Sequence, residues 1–154
     1  MSSSSGAVVR HSAPRSHASW DLAEGLMPES ALHDHVVALL RAILDAWATS
    51  SGAHYVARNM AIRWDPARPQ VGVDPDVCVI SPPPPGASEH AVTSVRTWIE
   101  GNAAPLLAVE VVSESHPRKD YTLGPEKYAA SGTQELVVFD PLGSPRIRRA
   151  RSCG

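Results

Sequence analysis

The chain has 154 residues and a mass of 16.4 kDa, which is the size of one ordinary domain. Its 14 lysines and arginines against 16 aspartates and glutamates give a formal net charge of −2, which excludes the strong positive field of a protein that coats nucleic acid. Two cysteines without a CxxC spacing, Cys78 and Cys153, argue against a disulfide scaffold and a structural zinc site and favour a cytoplasmic protein. No apolar run approaches the roughly 18 residues of a membrane span, so we expect no membrane association.

A change of composition at Trp20 separates a tail from a domain. Residues 1–19 are rich in serine and lack the apolar block of a secretory signal, so they are predicted to be a disordered tail. Residues 20–145 form the predicted domain, and residues 146–154 a basic tail. The arginines of this last segment are either solvated or in contact with phosphate; they are Arg146, Arg148, Arg149 and Arg151.

The first half of the domain begins with a helical pattern. Apolar residues recur at intervals of three and four over residues 30–49, which predicts an amphipathic helix that begins near Pro28 and Ser30 and ends at Gly52. Residues 55–64 then alternate with period two, which predicts one β-strand. Two prolines in residues 65–70 mark a turn. The apolar residues of the predicted helix face are Leu32, Val36, Leu39, Leu40, Ile43, Leu44 and Trp47.

The second half alternates between strands and loops. Residues 77–80 are predicted to form a short buried strand, the proline-rich residues 81–91 a surface loop, and residues 92–99 a short strand. Residues 106–112 are apolar except for one acid and predict a central strand. A helix over 125–131 ended by Gly132 and a strand over 135–140 complete an α/β fold with a mixed sheet, in which the last crossover is parallel.

Two acids stand where an uncompensated charge is costly. Glu110 lies in the middle of the predicted central strand, where an ionised carboxylate needs a partner or a metal. Asp76 stands immediately before the strand 77–80, so the two carboxylates converge if these strands pair. Paired carboxylates suit Mg²⁺ or Mn²⁺. The alternative is structural, with Asp76 as a turn residue and Glu110 facing solvent.

The order and spacing of these blocks resemble the Uma2 family of restriction-endonuclease-like proteins, which belongs to the PD-(D/E)XK nuclease superfamily. The resemblance spans about residues 24–141 and includes Glu24 and His33 at its start. The blocks that carry it are Pro75-Asp76-Val77, Val109-Glu110-Val111 with Ser113, Asp120, Lys127-Tyr128, Gly132 and Phe139-Asp140-Pro141.

The resemblance implies a mixed sheet flanked by helices and a divalent metal, Mg²⁺ or Mn²⁺, held by Asp76 and Glu110. The backbone carbonyl of Val111 would be a further ligand. Such a metal polarises the scissile phosphate and activates a water, while a lysine offsets the charge that develops in the transition state.

The chain departs from the family pattern at this lysine. The simplest superfamily pattern places it two residues after the glutamate, where this chain has Val112, and many family members place it four residues before the tyrosine, where this chain has Gly124. Lys127 lies about one helical turn further along on roughly the same face, so it is the expected substitute. Lys119 is the second candidate. The alternative for Lys127 is a solvated surface lysine.

Three further residues have implied roles around this site. Asp120 either caps the following helix or holds the lysine and tyrosine in place, and Tyr128 is expected to pack in the core. His33 is expected to be structural or to contact a metal ligand without binding the metal itself.

Two functions follow from the sequence. The first is a metal-dependent endonuclease that hydrolyses DNA, with Asp76, Glu110 and Lys127 as its catalytic residues and a homodimer expected by analogy. The second is an inactive or truncated nuclease-like module that binds nucleic acid, which Gly124 and the short segment after Asp140 favour.

Overall fold

The computed structural model describes residues 20–21, 30–113 and 124–142. The predicted tails, 1–19 and 146–154, lie outside these residues, and the domain boundaries stay predictions. The elements in chain order are α1 (Ala31–Ser51), β1 (Tyr55–Arg58), β2 (Ala61–Arg63), β3 (Val77–Ile80), β4 (Ser94–Arg96), β5 (Leu107–Val111), α2 (Gly124–Ser131) and β6 (Glu135–Phe139).

Both ends of α1 are fixed by the residues that the sequence indicated. The side chain of Ser30 accepts a hydrogen bond from the His33 amide, which satisfies one of the free amides of the first turn. At the other end Gly52 adopts a left-handed conformation, with φ of 73°, and its amide donates to the carbonyl of Ala48.

The apolar stripe of α1 is only partly buried, which corrects the predicted helix face. The buried residues are His33, Val37 and Ala48, and Val36, Leu40 and Leu44 are partly buried against the sheet. The helix contacts mainly β1, with fewer contacts to β3 and β5, so the flank that carries the other large apolar residues points away from the strands. These exposed residues are Leu32, Leu39, Ile43 and Trp47.

Four strands form the main sheet in the order β1-β3-β5-β6, with β1, β3 and β5 antiparallel and β6 parallel to β5. This confirms the α/β fold with a mixed sheet and a parallel last crossover. α1 packs on one face, over Val56, Val79 and Val109 among others. The other face packs against Tyr128 of α2 and against β2 and β4.

The prediction of a single strand over residues 55–64 is wrong, because the strand is interrupted at Asn59, whose φ is +47°. β1 ends at Arg58 and β2 begins at Ala61. The register nevertheless continues across the break: Arg58 pairs with Val77 in the main sheet, and Ile62 bridges Val73 in the same antiparallel sense. The two segments are therefore parts of one long hairpin that is unpaired in its middle.

The far part of this hairpin joins β4 to form a second sheet. β2 and β4 are parallel, with Ala61 opposite Ser94, Ile62 opposite Val95 and Arg63 opposite Arg96. Ile62 and Val95 are fully buried against the main sheet, so the residues on either side of them face outward. The strand predicted over 92–99 is thus confirmed in a shorter form, and the proline-rich residues 81–91 form turns without a strand.

No helix within the described residues is both long and apolar enough to cross a bilayer.

Cys78 lies fully buried in β3, and burial, together with the nearby charge of Asp74, raises the pKa of its thiol to about 12, so this sulfur is an inert part of the core.

Replacing Gly52 by alanine tests whether the end of α1 depends on the left-handed backbone. A Cβ at Gly52 would meet no atom within 4 Å, so only the strained φ matters, and we expect the Gly52→Ala variant to lose about 1 kcal/mol of unfolding free energy. Gly124 is the matched control, since a Cβ there also meets no atom within 4 Å but the residue is helical. Gly124→Ala is expected to be neutral or slightly stabilising in denaturant unfolding. Equal destabilisation of both variants would contradict this explanation.

Candidate active site

The pairing of β3 with β5 brings the two acids together. Val77 lies opposite Val109, so continuation of this register places Asp76 opposite Glu110 at the end of the sheet. Residues that face each other in an antiparallel pair point to the same side, with Cβ atoms about 5 Å apart. Two carboxylates that are distant in sequence therefore lie side by side where β5 ends and β3 begins.

The hydrogen bonds of Asp76 anchor it to the last residue of β5. Its Oδ2 atom accepts a hydrogen bond of 2.7 Å from the Val111 amide, and the Nε2 atom of His33 lies 3.3 Å from the same oxygen. Asp76 is largely buried, at 9% exposure, so these contacts compensate for the water that it loses. Oδ1 makes no hydrogen bond to another described residue.

His33 connects α1 to the same end of the sheet. It is 4% exposed, and besides its contact with Asp76 its Nε2 atom lies 3.1 Å from the carbonyl oxygen of Val111. With its proton on Nε2, the ring donates to both oxygens. The backbone of Val111 is thus held at its amide by Asp76 and at its carbonyl by His33.

Glu110 is held by a residue of α2. It is half-buried, and its Oε1 atom accepts a hydrogen bond from the hydroxyl of Tyr128, which is 3% exposed. Burial, followed by the charge of Glu110, raises the pKa of Tyr128 far above its ordinary value of 10.0. The tyrosine therefore stays protonated and donates its hydrogen bond at any physiological pH, so its role goes beyond the packing expected from the sequence.

Lys127 directly precedes Tyr128 on α2 and is half-buried. Gly124, which stands where the resemblance implies a lysine, begins the helix, and the space around it is open. The other two candidates of this region, Lys119 and Asp120, lie outside the described residues. The structure thus brings Asp76, Glu110, Val111, His33 and Tyr128 into one connected group, with Lys127 as the neighbour of its tyrosine.

The donor set of this group fits a hard divalent cation. Asp76 and Glu110 offer carboxylate oxygens, and the Val111 carbonyl has a second lone pair besides the one that faces His33. No group of three histidine, cysteine or acidic side chains within the described ranges forms a closed metal cage. That absence is compatible with Mg²⁺, which is usually bound through one or two carboxylates and keeps several waters.

The contact between His33 of α1 and the Val111 carbonyl of β5 was not predictable in detail from the sequence. The pattern placed His33 on an apolar helix face, but its contacts are with residues more than 40 positions away. The amide of Val111 as the partner of Asp76 was also missed, since a backbone group leaves no signal in the sequence.

This arrangement defines a class of protein. A mixed sheet of this order, with a helix on each face and two acids at the junction of its central strands, is a restriction-endonuclease-like fold. The chain matches the family model Uma2, described as "Putative restriction endonuclease", over residues 21–149, and it therefore belongs to this family. None of the curated proteins compared with the chain matches it.

The hydrogen bond between the Val111 amide and Asp76 is expected to stabilise the folded state. Asp76→Ala leaves the buried Val111 amide without an acceptor, and we expect a loss of about 2 kcal/mol in unfolding free energy. Asp76→Asn also removes the charge, but its amide oxygen can still accept the hydrogen bond, so this variant should lose clearly less. Denaturant unfolding of both variants measures the difference, and equal losses would show that the bond contributes nothing.

The raised pKa of Tyr128 predicts that the folded state loses stability at alkaline pH. The unfolded chain releases the tyrosine proton above pH 10.0 whereas the folded chain keeps it, so stability is fully present below that pH and falls as pH rises above it. One proton corresponds to about 1.4 kcal/mol of unfolding free energy per pH unit. Because the unfolded tyrosine is half-ionised at pH 10, we expect the decline between pH 10 and 11 to be shallower by about 1 kcal/mol in Tyr128→Phe. Parallel stability curves for the two proteins would contradict the assignment.

Proposed function

We propose that the protein is a metal-dependent endonuclease that hydrolyses phosphodiester bonds in DNA. The observation that carries the proposal is the placement of Asp76 opposite Glu110 beside the carbonyl of Val111 at one end of the sheet. Two carboxylates held this close are unfavourable unless a positive charge joins them, and a divalent cation supplies it. Membership of the family described as "Putative restriction endonuclease" supports the reaction class.

Asp76, Glu110 and Val111 would hold the cation. When bound, Mg²⁺ or Mn²⁺ lowers the pKa of a coordinated water and polarises the phosphate. The protein's own contribution is to orient the oxygens. Tyr128 fixes one oxygen of Glu110, and His33 and the Val111 amide fix one oxygen of Asp76, so both carboxylates are held in a defined direction.

Lys127 is the proposed source of the positive charge that stabilises the transition state. It adjoins Tyr128, whose hydroxyl touches Glu110, and helical side chains lean toward the N-terminus, which here is the end of α2 near the end of β5. The side chain of a lysine is long enough to span one helical turn, so the ammonium group of Lys127 can act at the position that Gly124 leaves open.

Cleavage of supercoiled plasmid in Mg²⁺, Mn²⁺ or EDTA tests the proposal. Asp76→Asn and Glu110→Gln keep the shape of each side chain, and we expect both to lower metal-dependent nicking by at least about 100-fold. Asp45→Asn is the control, because Asp45 pairs with Arg41 on the outer side of α1, away from the acids. Nicking that survives in both acid variants would contradict the assigned site.

Two variants test whether Lys127 takes part in catalysis. Lys127→Ala should lose about 100-fold in nicking rate, and adding Gly124→Lys to this variant should restore a large part of it, because position 124 has open space and a helical backbone. Unchanged nicking by Lys127→Ala would exclude this lysine from catalysis.

A nuclease-like module without catalysis is the second candidate, and the observation that favours it is Gly124. The two functions differ in metal binding: a ligand that binds the folded state alone raises its stability. The enzyme predicts a rise in melting temperature with Mn²⁺ that Glu110→Gln abolishes. No nicking with any metal and an unchanged melting temperature would favour the module.

A further inference from the structure

The outer face of the second sheet places two arginines side by side. β2 and β4 are parallel and in register, with Arg63 directly opposite Arg96. Their neighbours Ile62 and Val95 are fully buried, so by the alternation of strands both arginines lie on the outward face. Arg96 is exposed and Arg63 is half-buried.

Like charges directly opposite each other on neighbouring strands are unfavourable. Nothing within the described residues neutralises this pair, since no carboxylate there lies within ion-pair distance of Arg63 or Arg96. The guanidinium of Arg63 donates instead to the carbonyl of Pro69, which fixes its position without removing its charge. Arg68 belongs to the same turn, where its carbonyl accepts from the Val71 amide. A folded surface that holds two cations together is suited to an anion that bridges them.

The second sheet is also tied closely to the acids. Ile62 of β2 bridges Val73, and only Asp74 and Pro75 separate Val73 from Asp76. Three consecutive Cα–Cα steps reach at most about 11 Å, so the sheet with the arginines begins within a few phosphate spacings of the candidate active site. The continuous register of the hairpin keeps this relation fixed.

We infer that Arg63 and Arg96 form a binding site for the phosphates of the nucleic-acid backbone, next to the phosphate that is cut. The inference rests on the proposed nuclease function for the identity of the polymer. It explains how a chain with a net charge of −2 holds a polyanion, because the positive charge is concentrated locally on one face. Contacts of this kind position a duplex without reading its sequence.

Equilibrium binding of a labelled DNA duplex in EDTA, followed by fluorescence anisotropy across a series of salt concentrations, tests the site without cleavage. Each phosphate contact contributes about 0.9 to the slope of log K against log salt. We expect Arg96→Ala to lower this slope by about 0.9 and to weaken binding several-fold, and Arg63→Ala/Arg96→Ala to lower the slope by about 1.8. Arg96→Lys keeps the charge and should keep the slope.

Arg41→Ala is the matched control, because it also removes one exposed arginine but from α1, on the opposite face of the main sheet. A thermal melt of each variant confirms folding, and removal of one of two adjacent like charges should not lower the melting temperature. Equal slopes for wild type and Arg96→Ala, equal losses in Arg96→Ala and Arg41→Ala, or no binding by the wild type would overturn the inference.

The failure of this inference and that of the proposed function are distinguishable. Binding that depends on Arg96, in a protein that nicks no plasmid with any metal, supports the phosphate site and rejects the nuclease. Metal-dependent nicking by a protein whose DNA binding is unchanged in Arg96→Ala rejects the phosphate site alone.

Discussion

The backbone of Val111 is the point on which the candidate site depends. Its amide donates to Asp76 and its carbonyl faces the ring nitrogen of His33, so one residue at the end of a central strand joins β3, β5 and α1. Because all three groups are buried, loss of any one leaves a polar atom without water or a partner. The contact therefore fixes the direction of Asp76 more firmly than a solvent-exposed ion pair could.

The neighbouring carboxylate, Glu110, is held by an independent contact with the other helix. Glu110 accepts from Tyr128 on α2, whereas Asp76 is held by α1 and by the strand end. Each helix thus orients one acid, and the sheet sets the spacing between the two. A mixed sheet with a helix on each face is, for this reason, an effective frame for two convergent oxygens that originate far apart in the chain.

Local patterns in the sequence were sufficient to predict much of the mixed sheet and of the first helix. Ser30 and Gly52 mark the helix ends by chemistry that acts within one turn, and the apolar runs around Val79 and Val109 could only be buried strands. The break at Asn59 could not be predicted, because alternation continues through it and the positive φ reflects the path of the hairpin. The exposed flank of α1 was equally inaccessible, since periodicity identifies an apolar stripe but not how much of it the sheet covers.

At the site, the juxtaposition of two acids follows from strand pairing, whereas their partners do not follow from sequence. Asp76 and Glu110 were notable because carboxylates beside apolar strands need compensation. The role of Tyr128 as a donor to Glu110 depends on how α2 lies on the sheet, and the pairing of Arg63 with Arg96 depends on a parallel register between segments that are not adjacent in the chain.

The short connection between the two sheets has a consequence for the entropy of binding. Only Asp74 and Pro75 join Val73 to Asp76, and the ring of Pro75 is fully buried and restricts its own φ. The arginine face and the acid therefore cannot reorient independently, so their relative position is set when the chain folds. A substrate that touches both meets a surface that is already ordered, and little of its binding energy is lost in arranging the protein.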